Sequence, residues 1–469
     1  MKRIIINEWR LLYRNKTQFG IMCGFMIVVI VAIFLSHKQY NVQYDSFNSA
    51  KNELRAQWEN IDAMNPHSAA HYGTYVFKPA NLLTHLDEGV NSITGNVLRV
   101  EGHVQNEMVH SEASQMMFTS KFGKLKASLI FQYIIPLLLI FSAFASVYSE
   151  KQNDRLKLIV LQGISPNRIM FSKALAIWLY SNILLIITLL VYLIFSTSNL
   201  SSDLLLRLVL FFVSYSLYYF IIIGLTIFLS ARINKTAIAL TSMIGIWMLW
   251  TVFIPSMVLS SVEDWHPLPS RNAFKSAMSE DRSKGIDGHN PSDERGKALE
   301  TKVLSEYGVD SLSQLPINFD GIRMQEDEEY GNLVWDKHFG NLNDILQDQK
   351  NTVQYFGIIN PFTSLQNASI GLAGSDNLHH QMFLRQVEDY RRVFIKALND
   401  EHAYGGSKTG DWGWKANNDF FKSVADFDYQ PIMFKTVLKH YLLDICLLIL
   451  WTGIVIVLII FGTNKIAMT

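Results

Sequence analysis

The sequence predicts an α-helical integral membrane protein: six transmembrane helices, with two extracytoplasmic, mainly helical (α or α+β) domains inserted between spans one and two and between spans five and six. Of the 469 residues, 49% are hydrophobic, and the charged residues are strongly segregated. Six segments contain no Asp, Glu, Lys or Arg: residues 19–36, 127–148, 174–196, 208–231, 236–262 and 445–464. Each is close to the roughly 20 residues that a helix needs to cross a bilayer.

The alternation of apolar and polar stretches sets the predicted domain boundaries. The spans are predicted at residues 18–36, 127–148, 174–196, 204–231, 236–261 and 437–464. The parts between and before them are a cytoplasmic interfacial helix at 1–17, a first extracytoplasmic domain at 37–126, a cytoplasmic insert at 149–173 and a second extracytoplasmic domain at 262–436. Both cysteines, Cys23 and Cys446, fall inside spans, so neither polar domain can contain a disulfide.

The N-terminal segment reads as an amphipathic helix on the membrane surface. Ile5, Trp9 and Leu12 would share an apolar face, while Arg10 and Arg14 point towards lipid headgroups. No small-residue cleavage site follows the next apolar run, so we interpret that run as an uncleaved first span.

Basic residues in the short loops determine the predicted orientation, because Lys and Arg concentrate on the cytoplasmic side. They occur at the N-terminus, in the 149–173 insert, in the turn after span four and in the C-terminal tail. The sequence therefore predicts a multi-pass membrane protein with both termini in the cytoplasm. Residues 263–428 hold 27 acidic and 17 basic residues, a net charge of −10 that argues against binding to nucleic acid.

The insert combines a charged helix, a break and a second helix. Leu156, Ile159 and Val160 recur at helical spacing and form an apolar stripe. Gly163 suits the position after the helix end, and Ser165 followed by Pro166 is typical of a new helix start. A short amphipathic helix held between two spans either lies in the lipid interface or docks into a groove on a soluble partner.

This insert resembles that of ABC-2-type transporter permeases. In that family, an acidic residue after span two, a Leu-rich helix, a turn and two basic residues follow one another; here these are Glu150, Leu156–Leu161, Gly163, Arg168 and Lys173. Arg155 belongs to the same helix. At the N-terminus, "INEWRLLYRNK" is similar to the family's first helix through Glu8, Leu12, Arg14 and Lys16. The two large outer blocks, residues 37–126 and 262–436, depart from typical members and resemble a bacterial subgroup with two periplasmic insertions. The resemblance implies that the protein lies in a bacterial inner membrane, with these blocks in the periplasm.

The resemblance implies a permease subunit driven by a separate cytoplasmic ABC ATPase dimer, which docks on residues 149–173 and binds ATP and Mg²⁺. A second permease chain, identical or homologous, would complete the unit, and this chain would hold no cofactor. The sequence itself lacks a phosphate-binding loop. The nearest look-alike, "YGGSKTG", has Ser407 where the motif needs its second glycine.

Two sets of polar residues are weaker candidates for function. Within the spans, a transport pathway is a candidate role for Gln132, Ser142, Ser146, Ser181 and Asn182, with helix packing as the alternative. In the first outer block, His67 and His71 have the spacing of two metal ligands on one helical face, and nearby acidic residues together with His85, His103 and His110 could complete a set. Ordinary surface histidines are the alternative.

Two other classes of function compete with transport. One is a mechanotransmitter or sensor, in which ATP hydrolysis reshapes the periplasmic domains to act on a periplasmic or outer-membrane protein and no solute moves. The other is a membrane-embedded enzyme. The sequence has no H-E-x-x-H or G-x-S-x-G motif, and His440 and Asp444 are the only close ionisable pair resembling a site. We therefore expect a non-enzymatic subunit.

Overall fold

The computed structural model describes residues 1–79, 82–111, 126–195 and 201–464, and the chain is mainly helical in these ranges. The α-helices are α1 (Lys2–Arg14), α2 (Lys16–Glu59), α3 (Pro66–Tyr72), α4 (Asn91–Thr94), α5 (Ala127–Gln152), α6 (Arg155–Leu161), α7 (Pro166–Phe195), α8 (Ser202–Arg232), α9 (Thr236–Trp265), α10 (Arg271–Lys284), α11 (Ser292–Tyr307), α12 (Phe319–Tyr355), α13 (Pro361–Ala373), α14 (Asn377–Tyr404), α15 (Asn418–Ser423) and α16 (Phe434–Gly462). The strands are β1 (Ala63–Met64), β2 (Thr74–Phe77), β3 (Val97–Val100) and β4 (Ala416–Asn417).

Six of these helices are long and apolar enough to cross a membrane, as the sequence predicts: α2, α5, α7, α8, α9 and α16. Two of them contain a π-helical turn, at Ile130–Ile134 in α5 and at Leu249–Phe253 in α9. In each case a proline, Pro136 or Pro255, follows within two residues. Proline lacks an N–H and clashes with the carbonyl of the preceding turn, and a widened turn relieves that conflict.

Helix α8 is the centre of the membrane-spanning bundle. It packs against α5, α7, α9 and α16, and also against α13, which belongs to the second outer block. Large aromatic side chains of α8, among them Phe211, Tyr215, Tyr218 and Tyr219, are fully buried. The bundle interior is therefore filled by side chains around α8.

The two outer blocks pack over one shared core, although the sequence divides them into separate domains. β2 pairs with β3 within the first block, whereas β1 of the first block pairs with β4 of the second. One buried cluster combines Trp58 and Val100 with Phe394 and Phe421. The two blocks together form the outer layer of the protein. The helix of the first span extends into this layer, because α2 continues as one helix to Glu59, well beyond the predicted span end at residue 36.

Candidate coupling site

The insert folds as two helices joined by a tight turn. α5 ends at Gln152, Asp154 adopts a positive φ of 52°, and α6 then runs from Arg155 to Leu161. Gly163 has a φ of 87°, the left-handed conformation that glycine tolerates best, and α7 begins at Pro166. The short helix is thus tied at both ends to membrane-spanning helices by turns of only a few residues.

The predicted apolar stripe of α6 faces the chain's own spans. Leu156 is only 2% exposed, and Ile159 and Val160 are partly buried against the same bundle core. Leu158 and Leu161, by contrast, are 58% and 81% exposed. They lie three residues apart on the other side of the helix. The exposed apolar surface of α6 therefore centres on Leu158 and Leu161.

A buried ion cluster joins three helices beside the insert. Lys173 Nζ of α7 lies 2.5 Å from Glu8 Oε1 of α1 and 3.0 Å from Glu150 Oε2 near the end of α5. Ser146 Oγ donates to Glu8 Oε2 at 2.7 Å, and Lys173 donates to the Ser146 carbonyl at 3.1 Å. The side chains of Lys173, Glu8 and Glu150 are between 1% and 7% exposed. In a buried site, removing one charged group leaves its ion-pair partners buried without a counter-charge, which strongly destabilises the protein.

The remaining residues predicted for this site lie outside the ion cluster. Arg14, Arg155 and Arg168 are exposed. Trp9 is partly exposed but donates from Nε1 to the Ala176 carbonyl of α7 at 2.8 Å, so α1 is anchored on the third span. Glu8 is the buried residue of α1, whereas Ile5 and Leu12 of the predicted apolar face are partly buried.

One contact of this region was not predicted from the sequence. Lys151 donates from Nζ to the carbonyls of Ser230 at 2.7 Å and Ala231 at 3.1 Å, at the C-terminal end of α8. A cation there satisfies carbonyls that have no partner within the helix and complements the helix dipole. Its position at the end of span two was visible in the sequence, but its partner lies about 80 residues along the chain.

The pathway candidates make contacts within the protein. Ser146 belongs to the ion cluster, and Ser181 Oγ donates to the carbonyl of Trp178 in its own helix at 2.8 Å. Ser142 and Asn182 are buried. Gln132 Nε2 donates to Asp87 Oδ2 at 2.9 Å and lies 3.1 Å from Tyr215 Oη. The role of this set as a transport pathway stays a prediction.

Gln132 is part of a buried network that connects the outer layer to the spans. Besides Gln132, Ser369 of α13 donates to Asp87 at 2.6 Å, and Ser369 and Tyr215 share a hydrogen bond of 2.9 Å. Burial raises the pKa of Asp87, although hydrogen bonds from Ser369, the Gly89 backbone and Gln132 act in the opposite direction. The network therefore fixes a loop of the first outer block, α5, α8 and α13 relative to one another.

Replacing Gln132 by leucine is expected to destabilise the protein by about 1–3 kcal/mol, because the buried Asp87 carboxyl loses a donor. The thermal midpoint of the purified protein in detergent measures this. Ser181→Ala is the matched control and should change stability by less than about 0.5–1 kcal/mol, since its hydroxyl only bonds back to its own helix. Equal midpoints for the two variants would contradict the structural role of Gln132.

The outer histidines are brought together by the fold. His67 and His71 lie one turn apart on α3, and His103 lies beside both. His110 is not part of this group among the described residues, and the side chain of His85 lies outside the described part of the chain.

The ionisable pair predicted near the start of span six lies in a polar group. His440 and Asp444 face Lys350 and Gln354, with Gln354 donating to the His440 carbonyl at 3.1 Å and to the Asp444 carboxylate.

Two family profiles match this chain. The profile described as ABC-2 family transporter protein matches residues 34–274, which include the first outer block, spans two to five and the insert. A profile described as a domain of unknown function (DUF3526) matches residues 271–431, most of the second outer block. No curated protein and no solved structure gives a significant match.

Proposed function

Because the chain belongs to the ABC-2 family of transporter proteins and is a permease-type membrane subunit of an ABC transporter, we propose that a separate cytoplasmic ATPase drives it by docking on residues 149–173. The observation that carries this proposal is the shape of α6. One face is locked into the bundle through Leu156, and the opposite face presents Leu158 and Leu161 outside it. A helix of this kind can transmit the movement of a partner to both flanking spans.

The ion cluster gives this movement a route into the bundle. Lys173 links the start of α7 to the end of α5 through Glu150 and to α1 through Glu8. Lys151, next to Glu150, holds the end of α8. A displacement of α6 would therefore move α1, α5, α7 and α8 as connected elements, because buried ion pairs resist separation.

The working unit we propose contains two permease chains, identical or homologous, and an ATPase dimer that binds ATP and Mg²⁺. The lipid bilayer and the second chain would share the apolar faces of α2 and α9, which are the least enclosed of the spans together with α16. The basic residues of the short loops support placing the insert and both termini in the cytoplasm and the outer layer in the periplasm of a bacterial inner membrane.

Co-purification tests the proposal directly. The tagged chain is solubilised in mild detergent from its native host, and the proteins retained with it are identified by mass spectrometry. We expect a P-loop ATPase in a one-to-one ratio with the permease. If the preparation hydrolyses no ATP and holds no such protein, the assignment of residues 149–173 as an ATPase dock is wrong.

A second function, ATP-driven mechanotransmission without movement of solute, is favoured by one observation. α2 runs unbroken from the first span into the outer layer. There Arg55 donates to the carbonyl of Val424 at 2.7 Å, and Trp58 to that of Phe421 at 3.0 Å. Such a helix would carry span movement directly to a periplasmic or outer-membrane partner. Flux into vesicles during ATP hydrolysis supports transport, whereas hydrolysis with no flux of any candidate solute supports mechanotransmission.

A further inference from the structure

Two histidines of α3 face one another on the outer layer. Asn65 caps this helix by accepting from the backbone N–H of His67 at 2.9 Å, which fixes the helix start. His67 and His71 then lie one turn apart, with their ring centroids 4.6 Å and their Nε2 atoms 3.2 Å apart. A tetrahedral metal with Zn–N bonds of about 2.0–2.1 Å separates two ligand nitrogens by about 3.3 Å. The pair already has this spacing.

A third histidine comes from the loop after β3. Gly102 donates from its backbone N–H to the Ala70 carbonyl of α3 at 3.0 Å, which holds the loop against the helix. His103 follows with a positive φ of 64°, a conformation rare for a residue with a side chain. Its ring centroid lies 5.4 Å from that of His67 and 5.3 Å from that of His71. One ring nitrogen from each of the three lies within 4.8 Å of the others.

His103 is oriented by a buried carboxylate. Its Nδ1 lies 3.0 Å from Glu328 Oε1 of α12, and its backbone N–H donates to the same oxygen. Arg391 of α14 contacts the other oxygen at 2.8 Å. With Nδ1 contacting the carboxylate, Nε2 is the nitrogen left for a metal, which is the arrangement typical of metal-binding histidines.

His67 is partly buried beside the other two rings. A surface cluster of histidines without function needs neither a positive φ nor a dedicated buried carboxylate.

We propose that His67, His71 and His103 bind one divalent transition-metal ion, with Zn²⁺ as the ion that this donor set fits best. Imidazole ligands suit Zn²⁺ or Cu²⁺ and not Ca²⁺ or Mg²⁺, which prefer oxygen ligands. His71 is exposed, so solvent and ions can reach the site. The ion would clamp α3 and the His103 loop of the first outer block, while Glu328 and Arg391 anchor them to the second.

Zinc titration of the full-length protein in detergent, after removal of metal by a chelator, tests the site. Isothermal calorimetry should show one Zn²⁺ per chain. His71→Ala is expected to weaken binding about 100-fold or more, and Glu328→Gln by about 10–100-fold, the usual effect of losing a carboxylate behind a ligand. Zinc should also raise the thermal midpoint of the wild type and not that of His71→Ala, because a ligand stabilises only the state that binds it.

His289→Ala is the matched control, since His289 is exposed on the same outer layer and lies away from the cluster. His71 is exposed as well, so its removal should leave the midpoint of the metal-free protein unchanged. Zinc affinity that is equal in the wild type, His71→Ala and His289→Ala would overturn the proposal, as would the absence of stoichiometric binding.

Discussion

Replacing Lys173 by methionine is expected to destabilise the protein by about 3–5 kcal/mol, the cost of removing one partner from a buried ion pair. Methionine keeps the length of the side chain and suits a helix, so the effect reports the lost charge. In the variant, the carboxylates of Glu8 and Glu150 would remain buried without their shared cation. The measurement is the fraction of monodisperse protein that survives heating in detergent, compared with the wild type.

Two further variants separate charge from packing. Lys157 lies on the exposed side of α6, 3.0 Å from Asp154 in an ion pair open to solvent, so Lys157→Met should cost less than about 1 kcal/mol. The triple variant Glu8→Gln, Lys173→Met, Glu150→Gln removes all three charges and should recover much of the lost stability. A neutral buried group of similar shape is often as stable as an ion pair. If Lys173→Met is as stable as Lys157→Met, the ion cluster contributes little to the stability of the protein.

The sequence was sufficient to predict the membrane-spanning helices, because hydropathy over about 20 residues is a local property. It also predicted the break in the insert, where Gly163 has a positive φ. The length of α2 could not be predicted from hydropathy. The charged residues after position 36 mark the membrane boundary, but charge does not end a helix, and no proline or glycine interrupts residues 37–59.

The sites depended on contacts between distant parts of the chain. Family resemblance singled out Glu8, Glu150 and Lys173, yet only the packing of α1, α5 and α7 shows that they meet. The spacing of His67 and His71 was visible, whereas His103 joins them because β2 and β3 pair with Thr74 opposite Val100. The apolar stripe of α6 was assigned correctly to one face, but periodicity alone cannot tell whether that face points towards the bundle or towards a partner.

Replacing both Leu158 and Leu161 by glutamate is expected to weaken binding of the ATPase by about 100-fold or more. Burying one leucine contributes about 1.5–3 kcal/mol, and each 1.4 kcal/mol corresponds to a tenfold change in affinity. Both side chains are exposed in the isolated chain, so the thermal midpoint should stay close to that of the wild type. Binding of the purified ATPase subunit to the immobilised permease, measured by biolayer interferometry, gives the affinity.

Two controls assign the effect to the outward face of α6. Gln162→Glu adds one carboxylate beside Leu161, half the charge of the double variant, without removing an apolar side chain, and should leave the affinity within a few-fold of the wild type. Leu156→Glu places a carboxylate in the bundle core and should lower the thermal midpoint, because an unpaired buried charge is costly. If the Leu158 and Leu161 double variant binds the ATPase as the wild type does, α6 is a helix of the lipid interface and the ATPase docks elsewhere. If its binding is lost with the fold intact, the exposed pair is the contact through which ATP hydrolysis reaches the spans.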